Sequence, residues 1–241
     1  MRNSWTLDPY LYEDVPVLRN IPGAKTSEEL KAIEGDLTKI TMNIAYSREY
    51  ARFNTDTLRD IHKTIFGPLY DWAGEFRTIH MTKPEEVLGG DSVRYASPSE
   101  IKKELDEASA EVAKLRYADD PKTLMFKIVR ITASIWHTHP FREGNTRAVV
   151  VFSVLLAARF GIRMDYSLLE KNAAYVRNAL VWCTQGVYSQ FQYLERIYYD
   201  AAGLLDETPE ATIAGEKDYS ALGSYRISGY KEQPHTYVEE E

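Results

Sequence analysis

Residues 139–147 read His139-Pro140-Phe141-Arg142-Glu143-Gly144-Asn145-Thr146-Arg147, which puts a base, an acid, a glycine and a cation within one short stretch. Ile128, Ile131 and Ile135 precede this stretch at helical spacing, and the run 148–156 that follows it is almost wholly apolar. The pattern predicts that residues 139–147, here called the motif loop, connect two buried helices.

Apolar positions spaced three and four apart predict a mostly α-helical protein. The predicted helices cover 27–47, 54–72, 98–117, 121–138, 145–160, 167–182 and 187–204. Two β-prone runs, 77–82 and 92–96, flank Gly89-Gly90-Asp91 and predict a short β-hairpin. We call residues 77–96 the flap.

Composition limits the classes of function. The chain of 241 residues is long enough for one main core, which we place at 1–205. A Glu-, Thr-, Pro- and Gly-rich stretch predicts a linker at 206–217, followed by a short C-terminal helix and an acidic tail within 218–241. The net charge of −7 argues against nucleic acid or an anionic membrane as a partner. With no apolar run of membrane-spanning or signal-peptide length, we expect a cytoplasmic protein.

The residue types in the motif loop suit phosphate chemistry. A helix beginning at Gly144 or Asn145 points its free first-turn amides into the loop, where they attract an anion. Arg147 can grip phosphate oxygens, and Glu143 offers the oxygen that Mg²⁺ takes alongside nucleotide phosphates. His139 has the pKa range of a general base.

Each of these residues is also common at helix ends or on solvated surfaces, so only their order at fixed offsets favours a site. The other histidines do not share that pattern. We expect His62 to serve packing or capping and His137 to be structural, while His80 on the flap stays ambiguous.

The motif loop resembles the signature of Fic-domain proteins, His-x-Phe-x-acidic-Gly-Asn-Gly-Arg followed by a second arginine. Residues 60–66, 69–74 and 93–96 resemble the helix and the target-docking flap that precede that signature. The resemblance implies a Fic-like helical bundle with one β-hairpin. It also implies a protein adenylyltransferase, which transfers AMP from ATP to a Ser, Thr or Tyr hydroxyl of a target protein.

The resemblance assigns roles to residues of the motif loop. His139 would deprotonate the target hydroxyl, Phe141 would anchor the loop in the core, and Glu143 would hold Mg²⁺. Gly144 and Asn145 would line the anion hole around the α-phosphate, and Arg147 would contact the β-phosphate.

The resemblance also implies contacts outside the motif loop. The flap would clamp the target segment by strand pairing. Tyr175 and Asn178 are candidates for the adenine side.

Two positions depart from the signature. Thr146 replaces a glycine, and its hydroxyl can still turn toward a bound phosphate. Val150 replaces the second arginine, which meets the γ-phosphate in the family, and valine offers neither charge nor donor.

The stretch 223–230 resembles the C-terminal inhibitory helix of one Fic class, in which a glutamate pairs with that second arginine. Ser224 matches the serine of this pattern, whereas Ser228 stands at the glutamate position. Both halves of the ion pair are therefore absent, so we expect the usual charge-based autoinhibition not to operate. Tyr225 and Tyr230 are candidate self-modification sites by the same resemblance.

Two alternatives remain at this stage. The first is a Fic-type transferase that uses another donor and transfers UMP, phosphocholine or phosphate. The second is a catalytically weakened nucleotide-binding module. A homo-oligomer and an antitoxin-like partner are also left open.

Overall fold

The structure is a computed structural model that describes residues 8–205, Tyr219 and the backbone of 236–238. Its mostly helical architecture confirms the predicted fold class. The described residues contain these α-helices and strands: α1 Ser27–Tyr46, α2 Thr55–Phe66, β1 His80–Thr82, α3 Ile101–Ala113, α4 Pro121–Thr138, α5 Asn145–Arg159, α6 Tyr166–Lys171, α7 Ala173–Trp182, α8 Gln192–Ala201 and β2 Thr236–Val238.

Side-chain caps fix where several helices begin. Asn54 accepts a hydrogen bond from the backbone amide of Thr57 at 3.1 Å at the start of α2. Asp120 accepts from the amide of Thr123 at 3.0 Å at the start of α4, where Pro121 occupies the first turn. These caps satisfy amides that lack a partner within the helix.

Helices α4 and α5 form the centre of the core, and the motif loop connects them. Along α5 nearly every side chain is buried, as expected for a helix that is apolar on all sides. Phe152 packs edge-on against Phe53 at 5.4 Å, and the Ser153 hydroxyl hydrogen-bonds the Tyr198 hydroxyl at 2.8 Å. The loop is therefore held between two helices whose positions are fixed by the core.

Some predicted helix boundaries differ from the observed ones. The predicted helix at 167–182 is two helices, because Asn172 leaves helical geometry at ψ 32° and its side chain donates to the Leu168 carbonyl at 2.8 Å. The predicted helix at 54–72 ends at Phe66, just before Gly67-Pro68, because Pro68 has no amide to continue the helical hydrogen bonds.

The flap turns back on itself but makes little hairpin ladder. One antiparallel bridge joins Pro84 to Ser92, and Pro84 has no amide to extend the pairing. Strand β1 of the flap pairs instead with β2, with Met81 opposite Tyr237 in an antiparallel register. The predicted hairpin is thus reduced to a bridge, and the ladder of the flap is made with a distant segment.

Several predictions fall on residues whose structure is not described. These are the linker at 206–217, the C-terminal helix, and the positions Ser224, Tyr225, Ser228 and Tyr230. Across the part of the chain that is described, no helix combines the length and apolarity needed to cross a bilayer.

Candidate active site

His139 ends α4 in a left-handed backbone conformation, with φ 49° and ψ 58°. Among the described residues it is the one non-glycine position with positive φ. Its ring stacks on Tyr95 of the flap at 3.9 Å and meets Trp136 edge-on at 5.6 Å. The unusual backbone and the two aromatic contacts together fix the position of the imidazole.

Arg77 ties the flap to the backbone around His139. Its buried guanidinium donates to the carbonyls of His139 at 2.7 Å and Ile79 at 2.6 Å, and also to that of Ala96. Burial lowers the pKa of Arg77 to about 10, so the side chain stays charged at neutral pH. One side chain therefore sets both arms of the flap relative to His139.

His62 of α2 supports the other side of the motif loop. Its Nδ1 accepts from the amide of Gly74 at 2.9 Å, so Nε2 carries the proton and donates to the Glu143 carbonyl at 2.9 Å. The ring also stacks on the fully buried Phe141 at 3.8 Å. The sequence-based expectation of packing and capping at His62 agrees with these contacts.

The neutral state of His62 predicts acid sensitivity of the fold. Burial lowers the pKa of His62 from 6.5 to about 4. The unfolded chain takes up this proton below pH 6.5, whereas the folded protein resists it until about pH 4, so stability is lost as the pH falls between these values. At pH 5 the expected loss is about 2 kcal/mol relative to pH 7.5.

Urea unfolding at pH 7.5 and pH 5 measures this loss, and His62→Gln serves as the comparison because its amide does not titrate. The pH-dependent part of the stability is expected to shrink by about 2 kcal/mol in the variant. An identical pH dependence in both proteins would contradict a neutral, buried His62.

Two further contacts hold the motif loop closed. The Asn145 side chain accepts from the Phe141 amide at 2.9 Å and donates to the Phe141 carbonyl at 2.8 Å. Arg142 forms a buried ion pair with Asp8 at 2.8 Å. Because both polar groups of Asn145 bind Phe141, a role in an anion hole falls to its backbone amide.

Gly144 precedes α5 and packs its backbone against the Phe66 ring. Its φ of 82° lies in the left-handed region. A Cβ placed there would lie 2.3 Å from the Phe66 ring, so only glycine fits. The amides of the first α5 turn lack helical partners by geometry and supply an anion-binding end. Thr146 in this turn accepts from Trp136 Nε1 at 2.9 Å, which leaves its hydroxyl proton available.

Arg147 lies at this anion-binding end and already has an acidic partner. Its guanidinium forms an ion pair with Glu34 of α1 and lies over the Phe66 ring at 4.7 Å. The other oxygen of Glu34 accepts from the Tyr70 hydroxyl at 3.1 Å. The guanidinium that the sequence predicted to bind phosphate is therefore paired with the Glu34 carboxylate.

A cavity of about 360 Å³ extends past Arg147 between α1, α5, α6 and α7. Val150 lines it, as do Met42, Leu169 and Val176, so its walls are mainly apolar. At the position of the second arginine of the signature this protein has the uncharged Val150, although Lys39, Arg147 and Glu170 also line the cavity.

The remaining predicted site residues divide between the motif loop and α7, and Tyr175 and Asn178 do not line this cavity. Glu143 is half-buried at the loop, where its carboxylate accepts from the Gly144 amide at 3.0 Å. Tyr175 and Asn178 are buried on α7, and the Tyr175 hydroxyl donates to the Tyr193 carbonyl at 3.0 Å. Within the described ranges, no cluster of three or more His, Cys, Asp or Glu side chains is present. A single carboxylate shared with nucleotide phosphates nevertheless suits Mg²⁺, which keeps several waters.

The sequence did not predict a role at this site for three residues, Glu34, Arg77 and Tyr95. Each reaches the motif loop from a part of the chain distant in sequence. Glutamate on an amphipathic helix is ordinary, so no local pattern distinguished Glu34. Arg77 and Tyr95 lie within the β-prone runs 77–82 and 92–96, but only the packing of the folded chain shows that both side chains are buried.

Comparison with known proteins identifies the domain. The Fic/DOC family model matches residues 52–157. The chain is 25% identical over 167 residues to the protein adenylyltransferase VbhT of Bartonella schoenbuchensis, covering 68% of this chain and 34% of that protein. It is 28% identical over 169 residues to the probable protein adenylyltransferase y4lH of Sinorhizobium fredii, covering 68% of this chain and 82% of that one. The match thus spans about a third of the Bartonella relative.

Solved structures share the fold. The BepC effector of Bartonella tribocorum, solved with bound AMPPNP, has a TM-score of 0.67 at 23% identity and covers 80% of this chain and 95% of that chain. The Fic domain of a Bartonella quintana effector, solved with bound ADP, also has a TM-score of 0.67, at 21% identity, and covers 80% of this chain and 93% of that one. The family match shows a Fic/DOC domain at residues 52–157, and the solved structures show the same fold.

Proposed function

We propose that this protein is an adenylyltransferase that transfers AMP from ATP to a Ser, Thr or Tyr hydroxyl of a protein. The observation that carries the proposal is the placement of His139 at one end of the motif loop and of the α5 N-terminus, with Gly144, at the other. Relatives named as adenylyltransferases support the same reaction class.

In this reaction His139 accepts the proton of the attacking hydroxyl, whose oxygen forms a bond to the α-phosphorus as the bond to pyrophosphate breaks. The left-handed backbone of His139 and its stack on Tyr95 hold the imidazole in one orientation before substrate binds. A preorganised base of this kind contributes about 10²–10⁴-fold to the rate.

The N-terminus of α5 stabilises charge on the transferred phosphate. Its amides carry the positive end of the helix dipole and attract the phosphate, whereas the missing side chain at Gly144 makes room for the Phe66 ring. Glu143 would hold Mg²⁺, which would neutralise phosphate charge. Preorganised donors aimed at developing charge are a major source of catalysis.

The cavity past Arg147 favours a second candidate function, which is a transferase that uses a different donor. Val150 offers a γ-phosphate no cation, so a diphosphate donor without that phosphate, such as one supplying phosphocholine, suits the site as well. Transfer is tested by incubating the purified protein and lysate proteins with labelled donors and Mg²⁺ and recording the intact mass. Addition of AMP supports the proposal, a different added group selects the alternative donor, and addition of phosphate alone contradicts nucleotidyl transfer.

We further propose that Glu34 restrains this site. Its carboxylate holds Arg147, and its negative charge lies where phosphates would bind, so nucleotide and Glu34 compete for one guanidinium. Glu34 belongs to α1, whereas the sequence resemblance placed the inhibitory helix at the C-terminus.

Glu34→Gln is expected to raise ATP affinity about tenfold, which corresponds to about 1.4 kcal/mol, because the amide carries no charge. Calorimetric titration of ATP measures the change. Glu28→Gln on the same helix is the matched control, because Glu28 is exposed in the first turn of α1. Equal affinities of the unaltered protein and Glu34→Gln would contradict competition at Arg147.

A further inference from the structure

The edge of β1 is occupied by a segment of the same chain. Residues Thr236–Val238 pair with His80–Thr82 in an antiparallel ladder, with Tyr237 opposite Met81. Among the described residues β2 is the strand neighbour of β1. The edge of the flap that could accept an extended peptide is therefore already paired.

That edge is positioned relative to the catalytic base. Ile79 immediately precedes β1, and its carbonyl accepts from the same Arg77 guanidinium that binds the His139 carbonyl. A strand paired with β1 thus lies next to a segment that the Arg77 guanidinium joins to the backbone of His139. The strand β1, with which β2 pairs, is therefore connected to the candidate active site through Arg77.

A second contact anchors the chain before it reaches β2. Tyr219 is buried, its hydroxyl donates to Asp200 of α8 at 2.8 Å, and its ring packs against Tyr175 at 4.8 Å. Anchoring at Tyr219 keeps β2 near the domain, and such tethering gives effective concentrations in the millimolar range. A free peptide must compete with that concentration to reach the same edge.

We infer that β2 is an internal competitor for the edge at which a target protein docks, so that an extended target segment enters by displacing residues 236–238. Residues 236–238 and an extended target segment can use the same edge of β1, because main-chain hydrogen bonds bind any extended polypeptide. The inference rests on the proposed function only in naming the displaced partner as a substrate. The occupancy itself is independent of catalysis.

Hydrogen exchange on the full chain tests the occupancy. In an antiparallel ladder only every second residue donates its amide to a given neighbouring strand. One of the two single variants, Tyr237→Pro or Val238→Pro, therefore removes an amide that donates to β1. The amides of residues 80–82 are expected to exchange at least about tenfold faster in at least one of these variants. Glu240→Pro, outside β2, is the control and is expected to leave exchange unchanged. Unchanged exchange in both strand variants would overturn the inference.

Peptide binding tests the competition. A synthetic peptide of residues 233–241 is expected to bind the strand variant that exchanges faster at least about tenfold more tightly than the unaltered protein, because the internal strand no longer competes. Equal affinity for the two proteins would overturn competition. Neither measurement needs ATP or turnover, so a failure of the proposed transfer reaction is recorded separately by intact mass with labelled donors.

Discussion

His139→Asn is expected to lower the rate of AMP transfer by about 10²–10⁴-fold while ATP binding is retained. The rate falls because no other group takes the proton of the attacking hydroxyl. Asparagine is the informative replacement, since it tolerates the left-handed backbone that His139 adopts at φ 49°. Alanine would add backbone strain and confuse lost chemistry with a displaced motif loop.

Intact-mass kinetics with labelled ATP measure the transfer rate, and calorimetry measures ATP affinity. His137→Asn is the matched control, because His137 is half-buried in the last turn of α4 and lies outside the stack with Tyr95. A His139→Asn protein with unimpaired transfer would refute the general-base role. An equal loss in the His137→Asn protein would point to a general effect of changing this helix end.

The parts of the fold that local sequence determines were predictable. Helix α4 begins at an Asp-Pro cap and α5 begins after a glycine, and both carry periodic or continuous apolar runs, so their limits follow from neighbouring residues. The motif loop was predictable for the same reason. Its base, glycine and first helical turn lie together in sequence, and a loop between two helices keeps them together in space.

Features that depend on distant segments were not predictable. The partner of Arg147 is Glu34, and that of Arg142 is Asp8; both acids precede the motif loop by more than a hundred positions. Strand β1 shows the same limit, because a β-prone run indicates a strand but not which strand pairs with it. Sequence therefore predicted the candidate residues of the motif loop but missed the contacts that distant segments make with them.

The site is supported by two side chains that bind main-chain carbonyls of the motif loop. Arg77 holds the carbonyl of His139, and His62 holds that of Glu143. Backbone contacts of this kind fix the two ends of the motif loop, and the buried ion pair of Arg142 with Asp8 adds to them. They also explain why the loop can present a histidine in the left-handed conformation, since buried partners offset its backbone strain.

Gly144→Ala is expected to destabilise the protein by about 2–4 kcal/mol and to abolish detectable ATP binding. Two costs add. Alanine is strained at φ 82°, and its Cβ would lie 2.3 Å from the Phe66 ring, so either the ring or the loop must move. Because Phe66 also lies beneath Arg147, a shift of that ring disturbs the phosphate-binding cation as well.

Gly161→Ala separates the two costs, because Gly161 has the same φ of 82° but a Cβ added there would meet no atom within 4 Å. It is expected to lose only the backbone part, about 1 kcal/mol. The double variant Gly144→Ala/Phe66→Leu relieves the clash and is expected to recover part of the difference in urea unfolding. Equal losses for Gly144→Ala and Gly161→Ala would show that the Phe66 contact costs nothing. In that case the glycine at the start of α5 would be required for its backbone conformation alone.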